Sequence, residues 1–89
     1  MTKNKSFEIV EVGDDYIAVP CGEEAASFHG VIVLSEPMAF LFKHLSDNSS
    51  ANDLVDLLVK EYDVSRSTAE KDVNEILPKL YDLNLIMAD

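Results

Sequence analysis

The stretch that most limits what this chain can fold into is Val31-Ile32-Val33-Leu34, with Ser35-Glu36-Pro37 directly behind it. A short run of branched aliphatics that opens after Gly30 and closes on cap and turn residues has the pattern of a buried β-strand. Ser35 suits a helix cap, Glu36 stands near the positive end of the helix dipole, and Pro37 lies in the first turn, where a missing N–H costs little. The chain therefore passes from strand to helix with almost no loop. The residues before this junction read as β, and those after it read as α.

Upstream, Phe7-Glu8-Ile9-Val10-Glu11-Val12 nearly alternates, and Tyr16-Ile17-Ala18-Val19-Pro20 is a second β-rich run. Gly13, or an Asp tolerant of left-handed backbone, supplies a tight turn between them, so the spacing predicts a hairpin. Cys21 to Ser27 reads as a polar loop and Phe28 to Leu34 as the third strand of an antiparallel meander. Residues 1–6 are polar and read as a flexible tail ahead of a domain over 7–87.

Downstream, Met38, Leu41, Phe42 and Leu45 fall on one face of a helix over 36–45. A second helix starts near Ser50, with Asp53 completing a capping box, and carries Leu54, Val55, Leu58 and Tyr62 on one stripe. The third and longest helix, over 66–83, begins after Ser65 and has the seam Ala69, Val73, Ile76, Leu80 and Leu83. Pro78 lies inside it and is expected to kink the helix or open its hydrogen-bond ladder. Asn84 suits the left-handed residue that ends a helix, and Leu85-Ile86-Met87 reads as an extended tail on the core. The fold class is α+β, a three-stranded antiparallel sheet followed by three helices.

Charge narrows the function. With 17 acidic residues against 7 basic ones, the net charge is −10. Proteins that bind nucleic acid draw most of their affinity from Lys and Arg on phosphates, so this balance argues against such a partner and against an anionic membrane. The third helix, read as the recognition helix of a DNA-binding winged helix, sets Glu70, Asp72, Glu75 and Asp82 against Arg66, Lys71 and Lys79. No run approaches the roughly 18 apolar residues of a membrane span, and Met1 to Lys5 leads into no apolar segment. Together with the lone Cys21, this gives a cytoplasmic expectation.

Catalytic chemistry is hardly represented. His29 and His44 lie in different elements, with no further ligand at metal-binding spacing, so no metal site and no cofactor are expected. Cys21 near His29 reads as an unreactive thiol at a strand end. The serines at 49, 50, 65 and 67 are explained by helix capping. An acyl carrier protein is similarly small and acidic, but it needs a Ser in an Asp-Ser-Leu-type motif, which this chain lacks. What remains is the sheet: a three-stranded meander has two edges, and an unpaired edge can be extended by another chain.

Local patterns in order along the chain carry a resemblance. They are Glu11 to Tyr16, Val19 to Glu23, Phe28 to Glu36, Leu54, Glu61 to Val64, Ala69 to Val73, Ile76-Leu77, Leu80 and Leu83 to Ile86. Together they resemble the PqqD family, also called RiPP recognition elements. His29 and Ser35 stand where that family commonly has Asn, and Pro78 is unusual for its third helix.

The resemblance implies a winged-helix-like module without catalysis of its own. It would bind the leader of a ribosomally made precursor peptide and present it to a modifying enzyme, often a radical SAM protein. The product would be a redox cofactor of the pyrroloquinoline quinone type or another modified peptide. The leader would add as a strand beside Gly30, Val31, Ile32, Val33 and Leu34. The groove would be walled by Asp72, Val73, Ile76, Leu77, Lys79 and Leu80. The expected state is a monomer or weak homodimer, the alternative function being a structural or oligomerisation module that pairs through the same strand edge.

Overall fold

The structure, a computed structural model, describes residues 1–22 and 31–88. Its elements run β1 (Thr2–Lys3), β2 (Phe7–Val12), β3 (Asp15–Pro20), β4 (Ile32–Leu34), α1 (Glu36–His44), α2 (Ala51–Tyr62), α3 (Arg66–Asp82) and β5 (Ile86–Met87). The predicted α+β order of three meander strands and then three helices is present. The loop after Gly22 and the start of the third strand, including Gly30, lie outside the described residues.

The meander is antiparallel in the order β2-β3-β4. Val12 pairs with Asp15 across the two-residue turn Gly13-Asp14. Gly13 takes a positive φ of 62° while Asp14 does not, which is the glycine-first turn whose twist matches a hairpin. Period-two alternation sorts the sheet into two faces. Phe7, Ala18, Ile32 and Leu34 are buried beneath it, while Val10, Val12 and Val33 stand exposed on the other side.

Each helix begins as its sequence dictates. The Ser35 hydroxyl accepts from the Met38 N–H, and the Ser65 hydroxyl accepts from the Thr68 N–H. Ser50 and Asp53 form a reciprocal capping box. The helices bury Leu41, Phe42, Leu54, Leu58, Val73 and Leu80 against the sheet's inner face and one another. Burying side chains of this size stabilises the fold by about 1.5–3 kcal/mol each. Of the expected core, Leu83 is only half-buried. It caps α3, and the chain then turns through Asn84 at φ 60°. The Leu85 N–H reaches the Leu80 carbonyl and the Asn84 N–H the Tyr81 carbonyl, so Leu85 takes the core position.

One expectation is corrected. Residues 1–6 do not form a free tail. Thr2 pairs with Met87 and Lys3 with Ile86, joining the two ends of the chain in a second, two-stranded sheet. Asn4 is buried there: its amide donates to the Asn84 carbonyl at 2.7 Å, and its side-chain oxygen accepts from the Ser6 N–H at 2.9 Å. Pro78 does not end α3, which continues through it to Asp82; having no N–H, it leaves the hydrogen-bond ladder open at the Asn74 carbonyl, one of the two outcomes expected of it. Pro78 and Asn74 are both exposed, so the Asn74 carbonyl left without an N–H partner faces water, which can take its place.

Candidate functional site

Of the site residues expected from sequence, Ile32, Val33 and Leu34 lie on β4, Val31 directly before it and the rest on α3, while Gly30 lies outside the described residues. β4 pairs with β3 on one side only: Tyr16 with Leu34, Ile17 with Val33 and Ala18 with Ile32. Its other side carries no strand among the described residues.

The hairpin fixes which β4 backbone groups are free. In a two-residue hairpin the pair flanking the turn, Val12 and Asp15, exchanges hydrogen bonds, and bonded and non-bonded pairs then alternate. Asp15, Ile17 and Val19 therefore spend their N–H and C=O groups on β2. The bond from the Cys21 N–H to the Ser6 carbonyl at 2.7 Å continues the same alternation. Tyr16 and Ala18 are left to bond β4, and their partners are Leu34 and Ile32. The N–H and C=O of Val33 consequently point away from β3, toward the open edge.

Side chains obey the complementary rule. Ile32 and Leu34 are 9% and 4% exposed and anchor the strand in the core, whereas Val31 and Val33 are 58% and 64% exposed. Val33 is thus the β4 residue whose backbone serves the edge and whose side chain is largely in water. Sequence pattern marks the strand but not this division, because the parity is set by the hairpin turn some 20 residues upstream.

On α3 the expected wall residues separate. Val73 and Leu80 are fully buried, Ile76 is nearly so, Asp72 and Leu77 are half-buried, and Lys79 is exposed. Successive helical residues are rotated by roughly 100°. Asp72, Ile76 and Lys79 therefore share one flank, and Leu77 lies on the other. That second flank belongs to α2: Arg66 pairs with Asp56 at 2.7 Å and bonds Asn52, while Glu70 and Asn74 line a hollow with Ala51 and Val55. The flank turned away from α2 carries an aliphatic residue, an acid and a base.

A separate cavity of about 180 Å³ lies at the turn end of the hairpin, between Tyr16, α1 and α2. Sequence reasoning did not single it out, since its residues come from four elements. Among the described residues no group of three His, Cys, Asp or Glu side chains is set to hold a metal ion. No helix in them is long and apolar enough to cross a membrane.

Comparison with known proteins gives two positive findings. The family model for coenzyme PQQ synthesis protein D (PqqD) matches residues 24–86. The solved structure of TbiB1 in complex with the TbiA(beta) leader peptide superposes with a TM-score of 0.71 at 20% sequence identity, covering 100% of each chain. At that identity the likeness establishes the fold. No curated protein matches the sequence.

Proposed function

The chain belongs to the PqqD family, and from that premise we propose that it binds the leader segment of a ribosomally made precursor peptide by strand addition to β4. The observation that carries this reading is the open β4 edge, onto which Val33 directs an N–H and a C=O. TbiB1, which shares the fold, was solved with a leader peptide bound.

An extended leader segment on this edge gains main-chain hydrogen bonds worth about 0.5–1.5 kcal/mol net each. One or two aliphatic anchors beside Ile76, on the α3 flank with Asp72 and Lys79, add about 1.5–3 kcal/mol each. Ordering a disordered leader takes back part of the sum. The balance is roughly micromolar, about −8 kcal/mol. That suits a protein that must hold a peptide and then release it. Val73 and Leu80 support the groove from within, and Val31 extends its edge toward Gly30.

In this reading the protein has no catalytic step of its own. It acts in the cytoplasm and presents the peptide to a separate modifying enzyme, which the family resemblance suggests is of the radical SAM type. The experiment is titration of the cognate leader into isotope-labelled protein, with amide shifts as the readout. Perturbation centred on residues 31–34 and on the Asp72, Ile76 and Lys79 flank is expected. Shifts confined to the β2–β3 hairpin or to α2, with β4 silent, would overturn the assignment.

A further inference from the structure

The two sides of the proposed groove belong to different packing units. β4 runs through the Ser35 cap directly into α1, and this pair packs on β3 and α2. α3 packs chiefly on α2, and among the described residues neither β4 nor α1 is one of its close backbone neighbours. Besides the shared core, the link between the two units is the N-terminal segment.

On one side the segment grips the end of α1. The Lys3 ammonium donates to the Lys43 carbonyl at 3.3 Å, one of the last four carbonyls that a helix leaves unpaired, where a cation also suits the helix dipole. The same ammonium lies 4.9 Å from the centroid of the Phe42 ring. Lys5 pairs with Asp47, just beyond α1, at 3.2 Å. On the other side the segment grips the exit of α3. The Asn4 backbone N–H donates to the Leu85 carbonyl at 2.9 Å, and its side-chain amide donates to the Asn84 carbonyl at 2.7 Å. Asn4 is 8% exposed, and burial pushes the Lys3 ammonium below the usual lysine range against the pull of Asp47. Polar groups held out of water are costly to leave unpaired, so these contacts hold the segment in place at both ends.

We propose that residues 2–5 are a strap that sets the spacing between the β4–α1 unit and α3, with Lys3 and Asn4 as its positioning residues. Its value for peptide binding rests on the leader reading; the strap itself does not. A groove held at one width receives an extended strand without prior adjustment, and such preorganisation cuts the cost of binding. Cut at either grip, the two units keep their shared core and lose the tie across it.

The test reads the spacing in the intact protein with no peptide present. Nitroxide labels are placed on the exposed positions Val33→Cys of β4 and Glu75→Cys of α3, and their separation is measured by pulsed electron paramagnetic resonance. The background is Cys21→Ser, which keeps a donor for the Lys5 carbonyl. A second pair, Lys60→Cys with Glu75→Cys, reports α2 against α3. Asn4→Ala and, separately, Lys3→Met, which keeps the stem and removes the ammonium, are each expected to broaden and shift the β4–α3 separation while the α2–α3 separation stays as in the parent. Lys3→Arg, which keeps a charged donor, is expected to retain the parent distribution at both pairs. Circular dichroism melts establish that each variant is folded, and Lys3→Met alone decides if Asn4→Ala does not fold. A segment that only added stability would lower the thermal midpoint and leave both separations unmoved. Parent-like β4–α3 distributions in the folded variants, or equal broadening of both pairs, would overturn the proposal. Because no peptide enters this measurement, its failure is distinct from a failure of the leader titration.

Discussion

Val33→Pro separates binding from folding. Proline lacks an N–H, and on β4 the Val33 N–H is the one that faces the open edge. The pairs that hold β4 to β3, Tyr16 with Leu34 and Ala18 with Ile32, keep their donors and acceptors. The folded state should therefore persist with little loss in the thermal midpoint. The leader instead meets an edge with one donor deleted, and its own carbonyl is left without a partner. An unpaired group in a desolvated strand pair costs about 1–3 kcal/mol, so the dissociation constant should rise about five- to 150-fold. Val33→Ala, which trims a side chain 64% exposed, should change binding by no more than about 0.5 kcal/mol. Ile32→Pro is the opposite control: its N–H bonds Ala18, so the same chemistry one residue earlier should destabilise the sheet itself. The assay is calorimetric titration of the leader, with circular dichroism melts of each variant. A folded Val33→Pro variant that binds as tightly as the parent would refute both the hydrogen-bond parity and the edge.

Three further outcomes test the architecture. Asn4→Ala should lower stability by about 1–3 kcal/mol in a denaturant titration, because it strips the Asn84 carbonyl and the Ser6 N–H of their partner at a buried position. Pro78→Ala should raise stability by about 1–3 kcal/mol in the same assay without altering leader binding, since it restores a helix donor on the exposed face of α3. Tyr16 and Tyr62 should ionise above the ordinary tyrosine range in a near-ultraviolet titration. Tyr16 is held up first by Glu36, and Tyr62 by desolvation and then by Glu36, so Glu36→Gln should lower both. A raised folded-state value means the neutral phenol is favoured by folding. The contribution is therefore fully present below the unfolded value of about 10 and is lost as pH rises through the folded one.

Much of the fold could be read from the chain because its local signals agree with one another. Ser35, Ser50 and Ser65 each cap the helix that the apolar spacing behind them predicts, and the hairpin turn falls on Gly13. The failures share a cause, which is contact between residues far apart in sequence. Nothing in Met1 to Ser6 signals a strand, because its partner Ile86–Met87 lies at the other end of the chain and Asn4 finds its acceptor 80 residues away. The same limit applies to the site. The aliphatic run marks β4 as a strand, but its open edge is a property of the sheet order. On α3 an apolar seam does not distinguish residues that face the core, such as Val73 and Leu80, from those at its margin, such as Ile76.

An open edge is a hazard as well as a site, since any exposed strand can accept a second copy of itself. Two features of this chain oppose that outcome without closing the edge to a leader. The described part of β4 is three residues long, so a self-paired ribbon gains few hydrogen bonds. Each copy also carries a net charge of −10, so apposing two edges brings like charges together. In the proposed complex, a leader of low net charge would meet less of this repulsion than a second copy does. The acidity that argues against nucleic acid thus also favours a peptide over self-pairing on the same edge.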